Sequence, residues 1–223
     1  MRHIIKKIMI FLVRFFFIFL RKKIAIIDIG CNENIFKNFF YIYLRKNEFK
    51  LINKKENFSR SDYDEKINFY FGLFTYNKNI SNIIFIMLIE DPEIYHKLMF
   101  DRVIKKKTRG DIKMDIFEKS FNDNLITRFI IDKYPNRNLG INEEITVSHL
   151  NDNDYCLAEK NLKNNNLKIF TRDSFVIKIL YFLCNKKQIN EKSLRNQISE
   201  MKIELKEKMF SLDKKIYQKI KND

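Results

Sequence analysis

Hydrophobic and polar positions along the chain follow two patterns, short apolar runs and helical spacings. Residues 24–29 are apolar except for Asp28, and residues 83–89 form an unbroken apolar run. A continuous run of this length is typical of a parallel strand that is covered on both faces. Turn residues follow each run, and apolar residues at three- and four-residue spacings then indicate a helix. Strands that alternate with helices predict an α/β fold with a parallel sheet.

The same criteria predict the remaining elements. Further strands are predicted at residues 67–74, with a turn at Gly72, and at residues 167–170 at the edge of the sheet, and residues 53–66 are predicted to be a surface loop. Helices are predicted at residues 33–45, 92–107, 115–133, 154–164, 175–183 and 190–221. The last of these is a long, amphipathic C-terminal helix. No repeat or linker divides the chain, so residues 24–223 are predicted to form a single α/β domain with helices flanking a parallel sheet.

A basic hydrophobic segment, residues 1–23, precedes this domain. Its apolar run, Ile8–Leu20, is interrupted by Arg14, and the segment carries seven basic groups and no acid. A basic apolar helix of this kind is typical of a membrane interface, with a core-packing helix as the alternative. A transmembrane span, which needs about 20 apolar residues, is the third possibility. No small-residue cleavage site follows, so the segment is not a secretory signal. The protein is therefore predicted to be cytoplasmic or peripheral to a membrane, or else membrane-anchored by this segment.

The charge and the cysteine content limit the classes of partner and of metal or disulfide site that the chain is predicted to have. The 43 Lys and Arg residues against 28 Asp and Glu residues give a net charge of +15, which favours an anionic partner. Because seven of these charges lie in the first 23 residues, an anionic membrane surface that binds residues 2–23 is the preferred partner. Nucleic acid is disfavoured, since the aromatic residues follow core spacings and form no stacking platform. Cys31, Cys156 and Cys184 are widely spaced, so neither a metal site nor a disulfide framework is predicted.

Six short motifs occur in order along the chain. They lie at residues 27–35, Gly72–Leu73–Phe74, residues 86–100 around Asp91–Pro92, and residues 124–128, 158–162 and 212–217. In order and spacing they resemble the landmarks of the membrane-associated carbohydrate sulfotransferases, whose sulfuryl donor is phosphoadenosine phosphosulfate (PAPS). The resemblance covers most of the chain, although each motif is weak by itself. It implies a P-loop-like architecture and transfer of a sulfuryl group from PAPS to a carbohydrate hydroxyl.

The resemblance also implies which residues would form the site. The loop after the first strand would bind the 5′-phosphosulfate through backbone N–H groups and the positive end of the following helix. Residues at these positions are Gly30, Cys31, Asn32 and Asn34. Arg128 is a further candidate for cofactor binding, with a buried structural role as its alternative. His96 is a weak candidate for a catalytic base, with an ordinary surface histidine as its alternative.

This chain departs from the family pattern where the chemistry would take place. The lysine of the first loop corresponds to Ile29, and the arginine that would hold the 3′-phosphate corresponds to Glu90. Leu73 and Leu98 replace a histidine and a serine of the pattern. A like-charge contact at about 4 Å costs about 4 kcal/mol at an effective dielectric near 20. Phosphate contacts from residues 105–109 or a shifted register could compensate.

Two hypotheses follow from these departures. The first is a sulfotransferase whose activity is lost or altered. The second is a non-catalytic protein of the same fold that serves as a binding or scaffolding module at a membrane surface.

Overall fold

A sheet of five parallel strands forms the centre of the fold. The computed structural model describes residues 22–29, 35–106, 123–133, 149–184, 186–187, 191–199 and 206–222. The strands are β1 (Lys23–Ile27), β2 (Phe49–Asn57), β3 (Phe69–Thr75), β4 (Ile83–Ile89) and β5 (Leu167–Thr171). Their order is β2-β3-β1-β4-β5, and every neighbouring pair is parallel. The predicted α/β class with a parallel sheet is confirmed.

Helices cover both faces of this sheet. They are α1 (Ile35–Tyr43), α2 (Pro92–Lys106), α3 (Leu125–Ile130), α4 (Asp152–Leu162), α5 (Phe175–Leu183), α6 (Glu191–Ser199) and α7 (Ser211–Asn222). Helices α1 and α5 pack on one face, and α3, α4 and α7 pack on the other. Helix α2 packs against α6 and α7.

The strand sequences explain why both faces are covered. Ile24 and Ile26 of β1 belong to the apolar cluster beneath α1 and α5, whereas Ala25 and Ile27 belong to the cluster on the opposite face. Successive side chains of a strand point to opposite faces, so a strand between two helical layers needs apolar residues at every position. Strand β4 meets the same requirement, and its bounds are those predicted.

Two expectations about the strands are wrong. Residues 53–57 were expected in a surface loop, but they complete β2, where Asn53 pairs with Leu73 and Asn57 with Thr75 of β3. Strand β2 lies at the edge of the sheet, and an edge strand tolerates polar and charged residues. The expected turn at Gly72 is also absent, because Gly72 lies inside β3 between β1 and β2.

Two predicted helices have other bounds in the structure. Of the helix predicted at 115–133, residues 115–122 lie outside the described residues, and the described part is helical only in α3, which follows Asn124 in the left-handed conformation with φ of 46°. The run predicted at 190–221 is divided by a 3-10 turn at Glu207–Met209, so the C-terminal helix is α7 alone. The basic segment at residues 1–21 lies outside the described residues, and none of the helices in the described ranges is long and apolar enough to cross a membrane.

Candidate functional site

The strand order places a topological switch point at the carboxyl ends of β1 and β4. The chain leaves β1 through α1 on one face towards β2, and it leaves β4 through helices on the opposite side of the sheet towards β5. Ligands of open α/β sheets bind at such a switch point. The described residues at this edge include Asp28 and Ile29 after β1 and Glu90 and Asp91 after β4.

The chain directly after β1 is apolar and tied to α2. Ile29 is 1% exposed and belongs to the hydrophobic core, and its carbonyl oxygen accepts a hydrogen bond from the hydroxyl of Tyr95. The position that the resemblance assigns to a lysine is therefore packed inside the protein. Gly30, Cys31, Asn32 and Asn34, which the resemblance implies as cofactor-binding residues, lie outside the described residues.

A buried ion pair occupies the carboxyl ends of β4 and β5. Ile89 pairs with Thr171 in the sheet, which places the next residue of each strand, Glu90 and Arg172, side by side. Arg172 donates through Nε to the Glu90 carboxylate and through a terminal nitrogen to the Tyr181 hydroxyl at 3.4 Å. Glu90 is 3% and Arg172 is 4% exposed. Glu90, which stands where the resemblance implies an arginine, thus has its negative charge neutralised by Arg172.

Asp91 holds the first turn of α2. Its Oδ1 accepts hydrogen bonds from the backbone N–H groups of Glu93 at 3.1 Å and Ile94 at 3.3 Å, and its Oδ2 lies 2.7 Å from Arg195 of α6. A carboxylate at a helix N-terminus satisfies unpaired N–H groups and interacts favourably with the helix dipole. The Asp91–Pro92 pair therefore begins a helix, and Asp91 also ties the start of this helix to α6.

Arg128 lies in a buried polar cluster on α3. It is 1% exposed, and its guanidinium donates to the carbonyl oxygen of Asp123 at 2.8 Å and to the Asp123 carboxylate. The Asp123 carboxylate also accepts from the backbone N–H of Leu150 at 3.0 Å. This geometry agrees with the structural alternative for Arg128, and a role in cofactor binding stays a prediction.

Helices α3 and α7 cap each other. The Asp213 carboxylate accepts from the backbone N–H groups of Ile126 at 3.0 Å and Thr127 at 2.8 Å, and from the Thr127 hydroxyl at 2.6 Å. In return, the Asn124 side-chain oxygen accepts from the N–H groups of Leu212 at 2.9 Å and Asp213 at 3.3 Å. Each helix thereby receives its N-terminal hydrogen-bond acceptor from the other.

Helix α4 completes this arrangement. The Asn161 side-chain amide donates to the carbonyl oxygen of Ile130 at 2.9 Å, near the C-terminus of α3, and Ala158 is fully buried against the same core. The motifs at 124–128, 158–162 and 212–217 thus meet in space and join α3, α4 and α7. Their described polar contacts are structural.

His96 lies inside the protein. Its Nδ1 is 2.9 Å from the Pro92 carbonyl oxygen, and its ring contacts those of Tyr95 and Phe210. The expectation of a surface histidine is wrong, because His96 has no exposed surface. Burial lowers the pKa of His96 to about 4. A role as a catalytic base stays a prediction that the burial of the ring does not favour.

Opposed pH effects are expected from His96 and Asp213. Burial raises the pKa of Asp213 to about 7, and its hydrogen bonds from Thr127 and Ile126 offset part of this rise. Between about pH 4 and 7 the folded carboxyl holds a proton that the unfolded one has lost, so Asp213 makes stability fall as pH rises. His96 does the reverse between about pH 4 and 6.5, because only the unfolded imidazole binds a proton there.

Urea unfolding of His96→Gln and Asp213→Asn across this pH range tests the signs. Relative to wild type, His96→Gln is expected to lose stability as pH rises, and Asp213→Asn is expected to gain it. Glu65→Gln is the control, since Glu65 is exposed. Variant curves that run parallel to wild type would contradict the assignment.

No protein-family model, no curated protein and no solved structure matches the chain. Within the described ranges, no group of three or more His, Cys, Asp or Glu residues is placed to hold a metal ion. The structure defines a single-domain α/β protein with a parallel sheet, in which a buried Glu90–Arg172 ion pair lies at the carboxyl ends of β4 and β5.

Proposed function

We propose that the protein is a non-catalytic, sulfotransferase-like protein that serves as a binding or scaffolding module at a membrane surface. The observation that carries the proposal is the buried Glu90–Arg172 pair at the carboxyl end of β4. This position follows a central strand at the switch point, where an α/β enzyme of this type would bind its donor.

The described residues at this edge do not fit a polyanionic donor such as PAPS. The 3′-phosphate would meet the Glu90 carboxylate, and Arg172 is already engaged by Glu90 and Tyr181. Ile29 supplies an apolar side chain where the phosphosulfate would need a cation. Sulfuryl transfer depends on cations that absorb charge on the transferred group, as phosphoryl transfer does. Transfer from PAPS to a carbohydrate acceptor is therefore the less supported hypothesis.

The motifs that carry the resemblance also support a retained fold without the transfer chemistry. Asn124, Asp213 and Asn161 use their side chains to join α3, α4 and α7. These contacts give the motifs a structural role that requires neither a sulfuryl donor nor a carbohydrate acceptor. The membrane part of the proposal rests on the basic groups of residues 1–22, since Lys23 belongs to β1 and its ammonium donates to the carbonyl oxygens of Asp64, Glu65 and Ile67.

A titration of the full chain with adenosine 3′,5′-bisphosphate, the desulfo product of PAPS, tests the proposal. No saturable heat is expected at millimolar nucleotide, and no labelled sulfate is expected to pass from PAPS to a panel of carbohydrate acceptors. A far-ultraviolet circular dichroism spectrum verifies that the protein is folded. Saturable nucleotide binding, or sulfate transfer by the purified protein, would overturn the non-catalytic assignment.

A further inference from the structure

The outer face of α5 is unusually apolar. Eight of its nine residues are apolar or aromatic, in the sequence FVIKILYFL. Ile177 and Tyr181 face the core and are buried, while Phe175 and Phe182 point away from it and are 75% and 79% exposed. Large aromatic side chains with this exposure mark an interaction surface when they occur together.

These exposed residues form one continuous stripe. Phe175, Ile179 and Phe182 are spaced by four and three residues, so they lie on the same side of the helix. Ile179 is 38% exposed, and Val176, which is 42% exposed, widens the stripe. Helix α5 is fixed beneath this stripe, because the Tyr43 hydroxyl of α1 donates to the Leu183 carbonyl oxygen at 2.7 Å. The apolar face is thus presented on a helix that is anchored to the sheet.

Cations border the stripe. Lys178 is the one charged residue within α5, and Lys186 and Lys187 follow the helix; all three are exposed. A helix with exposed aromatic residues and adjacent lysines suits the interface of a bilayer, where the apolar side chains enter the acyl boundary and the ammonium groups meet anionic headgroups. The charge of this surface therefore indicates an anionic and apolar partner.

Two other occupants are disfavoured by charge. The chain's own apolar segment at residues 1–23 carries seven basic groups and no acid, and a second copy of the chain carries a net charge of +15. Either would bring further positive charge to the lysines beside α5. An anionic lipid surface instead attracts both α5 and the basic segment.

We propose that the outer face of α5, which consists of Phe175, Val176, Ile179 and Phe182 with Lys178, Lys186 and Lys187, lies on an anionic lipid bilayer. The inference rests on the membrane association proposed above, and it adds a second contact surface to residues 2–23. The bilayer is the occupant, and the two aromatic residues are its main apolar contacts.

The absence of tryptophan from the chain permits a direct test. Phe182→Trp introduces a single fluorophore on the proposed surface, and Leu51→Trp on β2, a position 46% exposed, is the matched control. With vesicles of phosphatidylcholine and phosphatidylserine, the Phe182→Trp emission is expected to shift to shorter wavelength and to be quenched by brominated lipid. The Leu51→Trp emission is expected to change little.

Vesicle sedimentation of full-length variants measures the contribution to binding. Phe175→Ser with Phe182→Ser is expected to weaken binding by about tenfold or more, because two apolar contacts are lost. Lys6→Glu with Lys7→Glu tests the basic segment separately in the same assay. Leu51→Ser is expected to bind as wild type does.

The outcomes separate this inference from the proposal on which it rests. If wild type does not bind anionic vesicles, both the membrane association and the α5 surface are wrong. If wild type binds but Phe182→Trp shows no shift and the serine variant binds normally, only the α5 surface is wrong. A Phe182→Trp emission that is already blue-shifted without vesicles would overturn it in favour of cover by the chain itself, and a concentration-dependent shift would do so in favour of self-association.

Discussion

Replacing Arg172 by methionine is expected to lower the free energy of unfolding by about 3–5 kcal/mol, since removal of one partner leaves a buried charge uncompensated. Glu90 is 3% exposed, so water cannot solvate the carboxylate that this change leaves behind. The variant also loses the contact between Arg172 and the Tyr181 hydroxyl. Urea unfolding followed by circular dichroism measures the change.

A double variant distinguishes the paired charges from the packing around them. Glu90→Met with Arg172→Met is expected to recover most of the lost stability, because replacing both members of a buried pair by apolar residues is often neutral or stabilising. Lys168→Met is the matched control on β5, where the side chain is exposed, and is expected to stay within about 0.5 kcal/mol of wild type. An Arg172→Met variant as stable as wild type would show that Arg172 is not the structural partner of Glu90, and would weaken the proposed function.

Sequence patterns predicted the central strands because burial on both faces leaves a simple signature. Strand β4 is apolar at every position, and β1 is nearly so. Strand β2 (Phe49–Asn57) was not predicted, because residues 53–57, which complete it, are polar and charged, and its pairing with β3 is made by the backbone. A polar edge strand has little apolar signature of its own, so its side chains predict it poorly, whereas the more apolar edge strand β5 was predicted.

The starts of α3 and α7 were misplaced for a different reason. Asn124 and Asp213 are 89 positions apart in the sequence, yet Asp213 caps α3 and Asn124 caps α7. Helical periodicity gives no boundary at either site, whereas these tertiary contacts define where α3 and α7 begin. Local propensity is a weak guide where a distant side chain supplies the cap.

The candidate site was predicted in part. The sequence singled out Glu90 as an anion where a cation was expected, but it did not identify Arg172. The sequence did contain a signal: the acidic Glu90 directly follows β4, and the basic Arg172 directly follows β5. If those strands are neighbours in register, the two residues meet, as Ile89 opposite Thr171 ensures. Strand order, which the sequence pattern leaves open, was the missing information.

The second large effect is expected at Gly72 in β3. A Cβ atom at this position would lie 1.7 Å from the carbonyl oxygen of Ile52 and 2.7 Å from its carbonyl carbon. Gly72 also accepts a hydrogen bond from the backbone N–H of Asp28 at 2.7 Å, on the side of β1. Glycine is therefore required where β2 approaches β3 closely, and the same residue fixes the start of the loop after β1.

Gly72→Ala is accordingly expected to destabilise the protein by at least about 4 kcal/mol, a loss typical of severe steric strain. Because the clash is with the main chain of Ile52, Ile52→Ala is not expected to rescue the variant, whereas it would relieve a clash with the side chain. Urea unfolding measures both variants and their combination. If Gly72→Ala does not fold, proteolysis of a destabilised but folded wild-type sample in moderate urea locates the first opening, which is expected at β2. Rescue by Ile52→Ala, or a Gly72→Ala variant of normal stability, would contradict the register between β2 and β3 on which the edge of this sheet depends.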